Sequence, residues 1–142
     1  MAFPKSNAPF YPFLPKKSSI YITANSTLAS PSLLCSVTGR LVTKYIAANA
    51  PNITWAIAGR SKEKLLNLVK NLEADQPLGI NEPDILVLDI MEESESKLKS
   101  CFQDTRLVVD VVGPYSYWGE RVLKPCVEAG TAWLDLNGEV PW

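Results

Sequence analysis

The sequence predicts an α/β fold, a doubly wound parallel sheet with strand order 3-2-1-4-5, on three observations. Short apolar runs alternate with amphipathic helical patterns from Ser18 onward, which is the sequence form of repeated βαβ units. One run, Arg106 to Val112, is almost continuously β-branched, as a strand buried on both faces requires. The chain has 142 residues, the size of one domain with one core.

The elements follow in order. Ser19–Thr23 is the first expected strand, and Ala24–Val37 an irregular stretch. A helix follows with Leu41, Val42, Tyr45 and Ile46 expected on its inward face. Ile53–Ala58 is the second strand, ending in Gly59-Arg60-Ser61, where Ser61 can cap a helix that carries Leu65, Leu68, Val69 and Leu72 inward. Pro77, Gly79 and Pro83 punctuate a loop before the third strand, Asp84–Leu88, which ends at Asp89. The next helix is expected to pair Glu93 with Lys97 and Glu95 with Lys99 along its outside, with Leu98, Cys101 and Phe102 inside. Arg106–Val112 is placed at the sheet centre. Gly113-Pro114-Tyr115 turns the chain into a fourth helix, Ser116–Ala129, which Pro125 should kink and Gly130 should end before a fifth strand, Ala132–Leu136.

Residues 1–17, with Pro4, Pro9, Pro12 and Pro15 set among Phe3, Phe10, Tyr11 and Phe13, read as a flexible arm ahead of one domain over residues 18–142. The chain stops at Gly138-Glu139-Val140-Pro141-Trp142, directly after a strand, so the domain is expected to be incomplete.

Charge and composition narrow the function. Lys and Arg number 14 against 15 Asp and Glu, for a net charge of -1, which leaves no electrostatic footprint for nucleic acid or an anionic membrane. Histidine is absent, which removes His triads, His metal ligands and the commonest general base at neutral pH. Cys35, Cys101 and Cys126 are odd in number and widely spaced, which fits reduced thiols in the cytoplasm rather than a disulfide framework or a metal site. The uncharged stretch Ser18–Gly39 is too rich in Ser, Thr, Asn and Pro for a transmembrane segment.

In an open parallel sheet, ligands bind beyond the carboxyl ends of the strands, so the strand-to-helix turns hold the candidate residues. At the first turn Thr38-Gly39 stands just before the helix; Gly39 serves either close phosphate approach or close helix packing. At the second, Gly59-Arg60-Ser61 has no acid to take a ribose hydroxyl. A guanidinium there can pair with a 2′-phosphate, which favours NADP over NAD; the plainer alternative is a solvent-facing arginine beside a capping serine. Asp89 can accept from an adenine amino group or simply form a turn. In Gly113-Pro114-Tyr115 the glycine allows close backbone approach, the proline stiffens the turn and Tyr115 can stack or donate, although a plain turn uses the same Gly and Pro. Asp135 and Glu139 stand at the last strand end, where a nicotinamide ring or substrate would lie; the plainer alternative is a solvated loop.

Taken in order, Thr38-Gly39-Arg40-Leu41-Val42, Trp55–Ser61, Val112-Gly113-Pro114-Tyr115, Cys126–Thr131 and Asp135–Trp142 resemble the N-terminal domain of saccharopine dehydrogenase-like oxidoreductases, a group that includes trans-acting enoyl reductases. The resemblance implies a Rossmann domain that binds NADP or NAD, with Arg60 and Ser61 near the adenosine ribose and Gly113-Pro114-Tyr115 near the pyrophosphate or nicotinamide ribose. It also implies links to lipid metabolism, lipid droplets or membranes, and a homodimer only in the full-length family. Two departures stand out. The family's glycine-rich first turn is matched only at Thr38 and Gly39, with Leu33-Leu34-Cys35-Ser36-Val37 ahead of them, and the chain is expected to lack the family's substrate and dimerisation domain.

Those departures predict a cofactor domain that binds weakly or not at all and has no turnover alone. The alternative is a truncated or degenerate interaction module that has lost the cofactor. A short-chain dehydrogenase is unlike this chain, since none of Tyr11, Tyr21, Tyr45, Tyr115 and Tyr117 has Lys four residues on. A phosphoacceptor receiver needs acids after the first strand, where Ala24-Asn25-Ser26 stand.

Overall fold

A computed structural model describes residues 18–23, 37–75 and 82–138. In chain order the elements are β1 (Ser18–Thr23), α1 (Val37–Asn49), β2 (Trp55–Gly59), α2 (Lys62–Asp75), β3 (Asp84–Val87), α3 (Glu95–Phe102), β4 (Thr105–Asp110), α4 (Tyr115–Ala129) and β5 (Ala132–Asp135). The expected arm at 1–17, the stretch 24–36 with Cys35, the loop residues Pro77 and Gly79, and Glu139–Trp142 lie outside the described residues.

All the pairings are parallel, and the five strands form one sheet in the order β3-β2-β1-β4-β5. Parallel neighbours need a crossover, which α1 to α4 supply. Stepping outward from β1 to β3 and then back to β4 and β5 reverses the direction of travel. Right-handed crossovers then send α1 and α2 to one face of the sheet and α3 and α4 to the other. The core divides accordingly. Trp55, Ile57, Leu65, Leu68, Val69, Leu72 and Val109 form one cluster, and Ala58, Leu98, Phe102, Val108, Val122 and Cys126 form the other. Val108 and Val109 fall in opposite clusters because successive strand side chains alternate faces. β2 is buried along its whole length, which is why its residues read as a plain apolar run.

Several expectations change in detail. The central strand is β1; β4 lies beside it, between β1 and β5. On α1, Leu41 and Tyr45 are 63% and 68% exposed, whereas Gly39 and Thr43 are buried and Val42, Ile46 and Ala47 pack against the core. The small residues win the inward face because they let the helix lie close to the sheet, and the Thr43 hydroxyl is satisfied there by donating to the Gly39 carbonyl at 2.6 Å. The charges on α3 pair across to α4 rather than along their own helix. Lys124 meets Glu95 at 2.8 Å and Lys99 meets Glu128 at 3.5 Å. Glu93 precedes α3, which begins at Glu95 with Ser94 as its cap. Both ion pairs are exposed, so their contribution is small.

α4 continues through Pro125, which is buried against the body of the domain; the ring removes only the hydrogen bond that an amide there would make to the Arg121 carbonyl. Gly130 ends α4 in the left-handed region, at φ 65° and ψ 31°, the conformation glycine adopts without a Cβ penalty. Thr131 then ties β5 into the fold, its hydroxyl donating to the Phe102 carbonyl at 2.8 Å.

Two outcomes follow from this packing. Phe102 is fully buried between α3, α4 and the sheet, so Phe102→Ala should cost about 3–5 kcal/mol in urea denaturation; a loss below about 1 kcal/mol would contradict this core. The Cys126 thiol is buried beside the Asp110 carboxylate, and desolvation first, then that negative charge, push its pKa from 9.0 up to about 12. Because the folded pKa is raised, burying the neutral thiol carries no ionisation penalty below about pH 9, and the fold loses stability as pH climbs from there toward 12. Native Cys126 should therefore resist a thiol reagent at pH 8 and react on unfolding, as read by mass spectrometry; labelling of the folded chain would contradict the assignment.

Candidate functional site

Because the strands are parallel, their carboxyl ends share one edge of the sheet. The register places Thr23 beside Ala58 on one side and Asp110 on the other, Gly59 beside Val87, and Asp110 beside Asp135. The chain leaves this edge at Gly59-Arg60-Ser61, Leu88-Asp89, Val111–Pro114 and Leu136–Gly138, and α1, α2 and α4 begin there. Along the edge, the sequence-predicted residues run from Asp89 through Arg60 and Ser61, then Thr38 and Gly39 at the start of α1, to Gly113, Pro114 and Tyr115.

At the second turn Gly59 is buried, and its carbonyl accepts from the Leu88 amide at 2.9 Å. Arg60 is exposed. Ser61 is half-buried and caps α2: its Oγ accepts from the Lys64 amide at 3.4 Å and its carbonyl from the Leu65 amide at 3.1 Å. An exposed guanidinium thus stands at the start of a 14-residue helix, whose dipole adds positive potential at that point. Thr38 and Gly39, expected just before the first helix, lie inside α1 as its second and third residues; Thr38 is exposed and Gly39 buried, so Gly39 has at least the packing role.

Asp89 is half-buried and forms its own turn. Its Oδ1 accepts from the Met91 amide at 3.0 Å, and its carbonyl accepts from the amides of Glu92 and Glu93 at 3.2 and 3.0 Å. Arg121 of α4 holds this turn from the other side, donating Nε to the Ile90 carbonyl at 2.9 Å and a terminal nitrogen to the Glu93 carbonyl at 2.8 Å. That role was missed in the sequence, where Arg121 is one more charge on a helix.

The Gly113–Pro114 peptide bond is cis, and Pro114 is the N-cap of α4. Tyr115 is only 7% exposed. Its hydroxyl donates to the Asp110 carbonyl at 3.1 Å and accepts from the Leu136 amide at 3.4 Å. Asp110 was also missed. It is a fully buried carboxylate at the end of β4, and its Oδ1 accepts from the Val112 amide at 3.0 Å; an acid inside a β-branched run was its signal. Asp135, its register neighbour, is half-buried with Oδ2 inside the fold. Glu139 lies outside the described residues.

Among the described residues no cluster of His, Cys, Asp and Glu could hold a metal ion, and no helix is long and apolar enough to cross a membrane. The edge offers what an anionic, extended ligand needs: helix starts, a cation and backbone turns in one row.

Comparison with known proteins identifies the family. Residues 36–140 match the model for the saccharopine dehydrogenase NADP binding domain. The chain is 36% identical over 112 residues to the saccharopine dehydrogenase-like oxidoreductase of Mus musculus, covering 72% of this chain and 25% of the relative. It is 30% identical over 107 residues to the lipid droplet localized protein of Caenorhabditis elegans, again covering 25% of that protein, and 31% identical over 102 residues to the trans-acting enoyl reductase of Mycobacterium leprae, covering 72% of this chain and 23% of the relative. Among solved structures, the saccharopine dehydrogenase (L-Glu forming) of Saccharomyces cerevisiae superposes with a TM-score of 0.60 at 18% identity over 87% of this chain and 22% of that one, a likeness of fold. The chain thus spans about a quarter of the length of the curated relatives it matches. It belongs to the saccharopine dehydrogenase family, through that family's NADP-binding domain.

Proposed function

We propose that this chain is the dinucleotide-binding part of a saccharopine dehydrogenase-like oxidoreductase, that it prefers NADP to NAD, and that it has no turnover alone. The observation that carries the reading is Arg60 beside Ser61 at the start of α2, with no carboxylate between Gly59 and Lys62. A 2′-phosphate there would receive a charge-assisted, paired contact from the guanidinium and the favourable end of the helix dipole. A bare ribose hydroxyl would find no acceptor carboxylate in the same turn. The fold suits this use: a doubly wound sheet in the order 3-2-1-4-5 has its switch point between β1 and β4, and the ligand bridges it. On this reading Asp89 faces the adenine, Thr38 and Gly39 at the start of α1 meet the pyrophosphate, and the Gly113–Pro114 backbone lies near the nicotinamide ribose.

When bound, NADP supplies hydride-transfer chemistry; the chain's own residues bind and orient it. The name of the Caenorhabditis elegans relative supports a working place at the lipid-droplet surface, reached without a membrane-crossing helix among the described residues.

Titration of tryptophan fluorescence with NADPH and NADH tests the assignment. NADPH should bind more tightly than NADH, and Arg60→Ala should weaken NADPH about 10- to 100-fold, the worth of a hydrogen-bonded charge pair, while changing NADH little. Equal loss for both nucleotides would remove Arg60 from the 2′-phosphate. No response from the wild-type chain to millimolar NADPH would favour the interaction module that the residues ahead of Thr38 suggest.

A further inference from the structure

The end of β4 is held by two side chains whose hydrogen bonds point inward. Asp110 and Asp135 form the last in-register pair of β4 and β5. Beyond that pair the backbone ladder stops, and the Tyr115 hydroxyl takes its place, accepting from the Leu136 amide at 3.4 Å and donating to the Asp110 carbonyl at 3.1 Å. The Asp110 carboxylate takes the Val112 amide at 3.0 Å, bending the chain as it leaves the strand. The turn from Val112 to Pro114 is thus fixed at its entry by Asp110 and at its exit by Tyr115, and the exit is also tied to β5.

We infer that Asp110 and Tyr115 are positioning residues that hold the Gly113–Pro114 turn in place for the nicotinamide half of the dinucleotide, and that Tyr115 does so without touching it. This rests on the dinucleotide reading above. Tyr115 is nearly buried and its hydroxyl is engaged both as donor and as acceptor, so it is placed to support a backbone surface rather than to present a group of its own. A turn fixed before the ligand arrives needs no ordering when it binds. The adenosine half, by contrast, would rest on Arg60 and Ser61 after β2, which is separated from β4 by β1, and does not use this support.

That separation supplies the test. The full chain and its Tyr115→Phe variant are titrated with NADPH and with adenosine 2′,5′-bisphosphate, which lacks the nicotinamide half, and amide hydrogen exchange is followed in both ligand-free proteins. Loss of the hydroxyl should weaken NADPH roughly tenfold, the equivalent of one or two net hydrogen bonds, leave the bisphosphate within about twofold, and speed exchange at Leu136 but not along β2. Leu136→Pro, which removes the same amide at an exposed position, should reproduce the NADPH loss if the phenylalanine variant fails to fold. Equal weakening of both ligands would reduce Tyr115 to general stability and overturn the inference, as would unchanged exchange at Leu136. If the wild-type chain binds neither ligand, the cofactor assignment falls, and Leu136 exchange together with the Gly113 amide resonance still decides whether Tyr115 holds the turn.

Discussion

The constraint from which the rest follows is the parallel sheet. Neighbouring parallel strands cannot be joined by a hairpin, so each must be followed by a helix that returns the chain to the starting edge. Every exit turn then lies on the opposite edge. With β1 in the middle and the helices divided between two faces, the exits of β2, β3, β4 and β5 form one row, and the starts of α1, α2 and α4 join it. A binding site on this edge of the sheet is therefore made of turns.

The turns here are finished unequally. The exit of β2 is open, with Arg60 exposed beside a serine whose oxygen is already committed to the helix. Those of β3 and β4 are held from within, the first by Asp89 and Arg121 and the second by Asp110 and Tyr115. Holding a turn from inside costs buried polar groups, and backbone partners offset part of that cost: Asp89 Oδ1 takes the Met91 amide, Asp110 Oδ1 the Val112 amide and the Tyr115 hydroxyl the Leu136 amide. The division is suited to recognition in which one end of a ligand meets a charge and the other meets a fixed backbone.

Much of this was legible beforehand because it depends on local chemistry. Leu65, Leu68, Val69 and Leu72 declared the inner face of α2 by spacing alone, and Gly130 declared the end of α4 by the conformation only glycine adopts cheaply. What depends on tertiary distance was not legible. Close packing at Gly39 was one of its two expected roles, but nothing in the order of residues says that α1 would turn Thr43 to the sheet and leave Leu41 and Tyr45 outside, since a close helix approach rewards small residues that a hydrophobicity pattern undervalues. The ion pairs of α3 were misassigned for a related reason: Lys124 is 29 residues from Glu95 in the chain yet 2.8 Å away in the fold. Tyr115 resembled a ligand contact because its place in the turn is visible in sequence, while the two backbone groups that occupy its hydroxyl are not.

On the proposed reading, one edge of the sheet is a single dinucleotide surface. Mapping backbone amide shifts of the isotope-labelled full chain as NADPH is added addresses it directly. Gly39, Arg60, Ser61 and Gly113 should shift together along one binding curve while the amides at the amino ends of β2 and β4 stay still. Shifts confined to one turn, or centred on another face of the domain, would contradict it.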